Sequence, residues 1–141
     1  MATQVLTNAY VLINAVDLSD HVQSVDLGQT VEQQEATAMG PSSDTRITKP
    51  GLKDGQVKIV FFQDYAAAKV DATISALLAT NPPTTTAVEV RPTNAARSTT
   101  NPAWTFTGSI SSYNPIAGKV GDMQMCEVIF QLASSMTRQT S

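Results

Sequence analysis

The sequence predicts a mainly β domain, an antiparallel sandwich or barrel with one α-helix packed on it, and three observations carry that prediction. Short runs of alternating apolar and polar residues recur along the chain, separated by clusters of Gly, Pro, Asn and Asp. Only residues 69–79 place their apolar side chains at helical spacing. The 141 residues fit one domain with a single core that needs no covalent staples.

The elements follow in order. Residues 1–8 read as an irregular arm, 9–133 as one domain and 134–141 as a polar tail. Residues 9–13 form a short apolar strand, Asn14-Ala15 a turn, and 16–18 a return. Residues 21–29 and 31–39 alternate like two strands, and Gly28 near their junction suggests a hairpin or bulge. This hairpin of residues 21–39 has little to bury: Val25 and Leu27 mark one face, and 31–39 has no large apolar face before Met39. Such a hairpin projects into solvent or is held by another molecule. Residues 40–55 carry loop signals throughout, in Gly40-Pro41, Lys49-Pro50-Gly51 and Asp54-Gly55.

Residues 56–63 form the strongest strand, with Val57, Ile59 and Phe61 on one face and Val60 and Phe62 on the other, which suits a central place in a sandwich. Asp64 can cap the helix that follows, whose stripe is Val70, Ile74, Leu77 and Leu78, and Asn81-Pro82-Pro83 ends it. Residues 87–91 are a strand stopped by Pro92, and 93–102 a polar loop. In 104–112, Trp104, Phe106 and Ile110 point inward. Tyr113-Asn114-Pro115 through Gly118 makes a turn into the last strand, 121–133.

Composition adds a functional hint. Charged residues make up 15% of the chain, against about 25% in typical soluble domains. In their place stand 18 Thr and 12 Ser. A surface poor in charge suits a chain covered by neighbours, and equally a domain whose strands simply favour Thr. A net charge of −3 argues against a protein that grips phosphates. Charge is polarised along the chain. Residues 1–45 hold six acids and no Lys or Arg, while Arg46, Lys49, Lys53, Lys58 and Lys69 follow closely. That polarity fits head-to-tail contacts between copies, or two solvated segments.

The sequence offers no catalytic constellation. His21 is the only histidine, and its neighbour Asp20 would point to the opposite face of a strand. One His and Cys126 alone cannot build a structural zinc site, and Asp17 to Asp20 lacks the glycine and terminal Glu of a calcium loop. Gly118-Lys119 fails as a phosphate loop because Tyr113 stands where Gly is needed and Val120 where Ser or Thr is needed. Cys126 lies in an apolar run and reads as a small core residue. No catalytic residues, metal, cofactor or membrane span are expected. With no signal peptide in view, synthesis is expected in a reducing cytoplasm.

Several segments together carry a resemblance. The run Val11-Leu12-Ile13-Asn14-Ala15-Val16-Asp17-Leu18-Ser19-Asp20-His21-Val22 is one of them, and Gly51-Leu52-Lys53-Asp54 leading into Gln63-Asp64-Tyr65-Ala66-Ala67 is another. They continue through Val70-Asp71-Ala72-Thr73, Val88-Glu89-Val90-Arg91-Pro92-Thr93 and Asn101-Pro102. In order and spacing, over residues 10–133, the chain resembles the major tail tube proteins of long-tailed, non-contractile (siphovirus-type) phages of actinobacteria.

The resemblance implies a β-sandwich with a flanking helix, assembled as stacked hexameric rings into a hollow virion tail tube. Viral DNA would pass through it without specific binding. Strands of each subunit would join into a barrel around the lumen, and the early long loop would reach a neighbour. The partners implied are further copies of the chain and the tape measure, terminator and distal tail proteins, with synthesis in the host bacterial cytoplasm. Asp26, Glu32 and Glu35 are candidates to face the lumen, at most one of the latter two because their parity differs. Asp44, Arg46, Lys49 and Lys53 are candidates for the contact between subunits. The alternatives are another virion sandwich, such as a tail terminator or decoration protein, or a monomeric ligand-binding β-barrel.

Overall fold

A computed structural model describes residues 3–40 and 44–141. It contains strands β1 (Tyr10–Ile13), β2 (Val16–Asp17), β3 (Val22–Glu35), β4 (Thr48–Phe62), β5 (Thr86–Arg91), β6 (Ala103–Ala117), β7 (Met125–Leu132) and β8 (Thr137–Gln139). One helix, α1 (Val70–Leu78), lies inside the expected span. The strands form one antiparallel sheet in the order β2-β1-β5-β6-β7-β4-β3, with β8 continuing beyond β7 along β6.

β6 belongs to two layers. Its first half pairs with β5 and β8, and its second half with β7. The change falls at Gly108, where a Cβ would come within 3.0 Å of the Phe106 ring and 3.3 Å of Phe130. The layers enclose one core, with Val11, Ile13, Val88, Val90 and Phe106 on one side and Val57, Ile59, Phe61, Val128 and Phe130 on the other. α1 adds Val70, Ile74 and Leu77 to the same core. Leu78 of the expected stripe is exposed and Thr73 is buried in its stead. The sheet thus hides its apolar face by coiling on itself.

Local turns follow simple rules. Asn14 and Ala15 both have left-handed backbones (φ 52° and 63°), the twist that a two-residue hairpin between β1 and β2 requires. Asp64 does not cap α1, whose N-cap is Lys69. Its carboxylate accepts the Ala66 N–H (2.9 Å), and its carbonyl accepts that of Asp71 (3.2 Å), so it holds the preceding turn.

Four expectations are corrected. Residues 21–39 are not a hairpin; β3 runs unbroken through Gly28 and pairs with β4 from Val22 to Glu35. The expected loop 40–55 is a strand from Thr48 onward, and Pro41, Ser42 and Ser43 lie outside the described residues. Here long-range pairing overrides turn chemistry. Pro50 sits where only β3 pairs with β4, beside a bulge between Val31 and Gln33, and an edge with a bulge is where a strand tolerates proline. The turn expected at 113–118 begins later, since β6 continues to Ala117 through a second irregularity and β7 starts only at Met125. The tail 134–141 contributes β8, tied to β6 by a Thr105–Thr137 hydroxyl bond of 2.8 Å.

Candidate functional site

Residues 56–62 of β4 lie between β7 and β3, whereas residues 48–55 have only β3 beside them. The β3–β4 pair therefore leaves the body as a two-stranded ribbon, residues 29–35 against 48–55. All of the ribbon is exposed except Gly55 at its root. There a Cβ would meet the Gly28 carbonyl at 2.9 Å and Leu132 at 3.2 Å, so glycine lets the ribbon leave flush against the body. Among the described residues, the ribbon and its loop expose Val31, Leu52, Ile47 and Met39.

The layer β6-β7-β4-β3 has two unpaired edges among the described residues. β3 pairs with β4 alone, and β6 beyond Gly108 pairs with β7 alone. Neither edge is short, and both would attract another strand. One face of this layer is core. The other carries Ser24 and Asp26 of β3, Gln56, Lys58, Val60 and Phe62 of β4, and Glu127, Ile129 and Gln131 of β7. Asp26 stands opposite Lys58, and Lys58 Nζ lies 3.7 Å from Glu127 Oε2. Gln131 donates to Gln56 at 2.8 Å. β4 is central here, as its sequence suggested, but its second face is only partly covered within the chain: Val60 is half-buried and Phe62 is 38% exposed.

The candidate lumen acids divide between faces. Asp26 and Glu32 share one face of β3, and Gln34 donates to Glu32 along it. Glu35 is on the other face and pairs with Arg46 (3.4 Å). Asp44 and Arg46 precede β4, whereas Lys49 and Lys53 stand on it, opposite Gln34 and Val31. Glu127 was not singled out by sequence, although the alternation of Cys126, Val128 and Phe130 with Glu127 and Ile129 contains it.

Two polar clusters brace the body. His21 Nδ1 lies 2.7 Å from Asp20 Oδ1, and Nε2 lies 2.8 Å from Asp64 Oδ2. Ser19–His21 is a 3₁₀ turn, not a strand, so Asp20 and His21 meet after all. The imidazole holds the Asp20 carboxyl below its ordinary range, and the Ala66 N–H, with His21, does the same for Asp64. On the other layer, buried Glu89 pairs with Arg91 and Arg97, both at 2.9 Å. Arg91 also stacks 3.9 Å over the Tyr10 ring, and Arg97 reaches Gln139 of β8. Burial pushes the Tyr113 hydroxyl up, and it donates to Asp71 at 2.9 Å, linking β6 to α1. No described cluster of His, Cys, Asp or Glu could hold a metal, and no described helix is long and apolar enough to cross a membrane.

No protein-family model matches the sequence, and no curated protein matches it. Solved structures do. The chain is similar to one in the "virion of native gene transfer agent (GTA) particle" (TM-score 0.74, 11% identity, 97% of this chain and 99% of that one). It is similar to the "tail of empty GTA particle", refined with helical and C6 symmetry (0.65, 12%, 86% and 83%). It is also similar to the SPP1 tail tube solved by solid-state NMR and cryo-EM (0.65, 13%, 95% and 77%). These likenesses span most of the chain at an identity where only architecture survives, and by them the protein has the tail-tube fold.

Proposed function

We propose that the chain is the building block of a hollow phage-type tail tube, polymerised as stacked hexameric rings through which DNA travels. The observation that carries this reading is the four-stranded layer with one packed face, one polar face and two unpaired edges. Strand direction alternates across β3, β4, β7 and β6. The β3 edge of one copy set against the β6 edge of the next therefore continues the antiparallel pattern. Repeated around a ring, this contact removes both free edges of the layer and turns its other face toward a central bore. C6 symmetry in the similar tail agrees with six copies.

On this reading Asp26, Glu32 and Glu127 face the bore, and Lys58 is neutralised by Asp26 and Glu127 beside it. These three acids stand on this face against two cations, Lys58 and Lys49 opposite Gln34, so the bore grips phosphates weakly by counterion release and DNA slides. Glu35 faces away. The ribbon and loop, with Asp44, Arg46, Lys49 and Lys53, reach a neighbouring subunit or ring. Tape measure, terminator and distal tail proteins would meet the tube inside and at its ends, in a virion assembled in a bacterial host.

Electron microscopy of the purified chain over a concentration series tests this. Rings that stack into tubes are expected. Isolated rings that never stack would favour a ring-forming tail terminator, and a monomer at every concentration would overturn the proposal.

A further inference from the structure

We propose that the turn between β6 and β7, residues 116–123, is an axial docking knob, and that it seats at the ribbon root of a second copy. The register of the sheet puts these surfaces at opposite poles. At one end of the layer, Gly108, Leu132, Gln131 and Gln56 lie level with Gly28, and the ribbon continues beyond them. At the other end Ala117 pairs with Met125 and the turn follows. A copy stacked head to tail therefore brings a turn pole onto a ribbon pole.

The turn is apolar and uncovered, and the ribbon root offers a mainly apolar cleft. The turn exposes Ile116, Val120 and Met123 at 76%, 103% and 71%. At the ribbon root, Leu6, Val25, Leu27, Val90, Trp104 and Met136 line a cleft of about 360 Å³, and Leu52 (79% exposed) stands further along the ribbon. A cleft of that size holds two or three apolar side chains, as a knob of three would require.

The charges match as well. Lys119 and Asp122 on the turn, and Lys53 and Asp54 near the ribbon root, have no ion-pair partner among the described residues. Stacking can pair Lys119 with Asp54 and Asp122 with Lys53. The knob is also preformed. Gln63 donates to the Pro115 carbonyl (2.7 Å), its N–H to the Gln124 carbonyl (3.0 Å), and Gln124 donates to Tyr65 (2.7 Å). Docking a braced turn costs little ordering. A contact that joins unlike surfaces repeats without closing, and so builds along an axis.

This inference rests on the stacked-ring reading, and the test separates the two. The unaltered full-length chain is concentrated and imaged by negative-stain electron microscopy. If neither rings nor tubes form, the stacked-ring reading itself is overturned. Where tubes do form, Val120→Asp/Met123→Asp is expected to give folded subunits, by circular dichroism, that make no tubes. Tubes of unaltered length and yield from that variant overturn the docking alone. A second measurement does not need that variant to fold. Val120→Cys and Leu52→Cys chains are co-assembled and treated with a short bis-maleimide, with buried Cys126 out of reach. A cross-linked dimer is expected from the mixture and not from either chain alone. Its absence, or an equal yield from either chain alone, overturns the docking.

Discussion

His21 Nε2 lies 2.8 Å from Asp64 Oδ2, although 43 residues separate them, and the same ring holds Asp20 on its other side. The contact ties the start of β3 to the segment leading into α1. His21→Ala should leave two carboxylates facing each other and destabilise the domain by about 1–2 kcal/mol, read from urea unfolding. The pH dependence has a definite sign. Asp20 and Asp64 titrate below their ordinary value of 3.8 in the folded chain. Their contribution is present above that value and is lost as pH falls through the lowered one. The thermal midpoint should therefore drop on acidification below pH 3.8, and less steeply in Asp64→Asn.

Glu89 is buried between Arg91 and Arg97, and no other carboxylate pairs with either among the described residues. Glu89→Ala leaves two guanidinium groups facing an uncharged site and should cost about 2–4 kcal/mol. Arg97→Ala should cost less, since that side chain is more exposed. It should also loosen β8, which hydrogen exchange at Thr137–Gln139 would register.

The two glycines at the ribbon root should behave oppositely. Gly55→Ala drives a methyl onto the Gly28 carbonyl and should destabilise by about 1–3 kcal/mol. Gly28→Ala meets nothing within 4 Å and should stabilise by about 0.5–1 kcal/mol through the unfolded chain. Denaturation midpoints of the two variants make the comparison.

Burial pushes the Cys126 thiol up to about 11. At pH 8 almost none of it is thiolate, so the folded chain should resist a thiol reagent that labels the unfolded chain fully. Labelling followed across a urea titration should track unfolding.

If the bore is lined as proposed, Asp26→Lys/Glu32→Lys should assemble tails of ordinary length but deliver less DNA, because each ring then presents cations to phosphates. Glu35→Lys, on the opposite face, should have a smaller effect on delivery. Particle counts by microscopy set against infectious titre would distinguish assembly from delivery.

The core was readable in the sequence because its strands bury one face. Val57, Ile59 and Phe61 are fully buried, as their alternation requires, and Val70, Ile74 and Leu77 mark the helix by spacing. The ribbon was not readable as such. A two-stranded ribbon in solvent buries no face within the chain, so the alternation of residues 31–39 carries no apolar face to show which strand it pairs with. Gly28, Pro50-Gly51 and Asp54-Gly55 then resemble turns, and only the pairing of residues 22–35 with 48–61 makes them strand. The His21–Asp64 contact was hidden for another reason, since nothing local signals a partner 43 positions away. Glu32 and Glu35 lie on opposite faces of β3, as their difference in parity requires, whereas the shared face of Asp26 and Glu32 follows only from the continuity of the strand.

The unpaired edges of β3 and β6 have a practical consequence for the chain before it meets its copies. A freshly folded subunit already displays the hydrogen-bonding groups that a finished assembly would satisfy, with only polar side chains such as Gln23, Ser24 and Asp26 to discourage mispairing. On the stacked-ring reading, these edges are ready to pair as folded, and dilution is what would keep single chains apart.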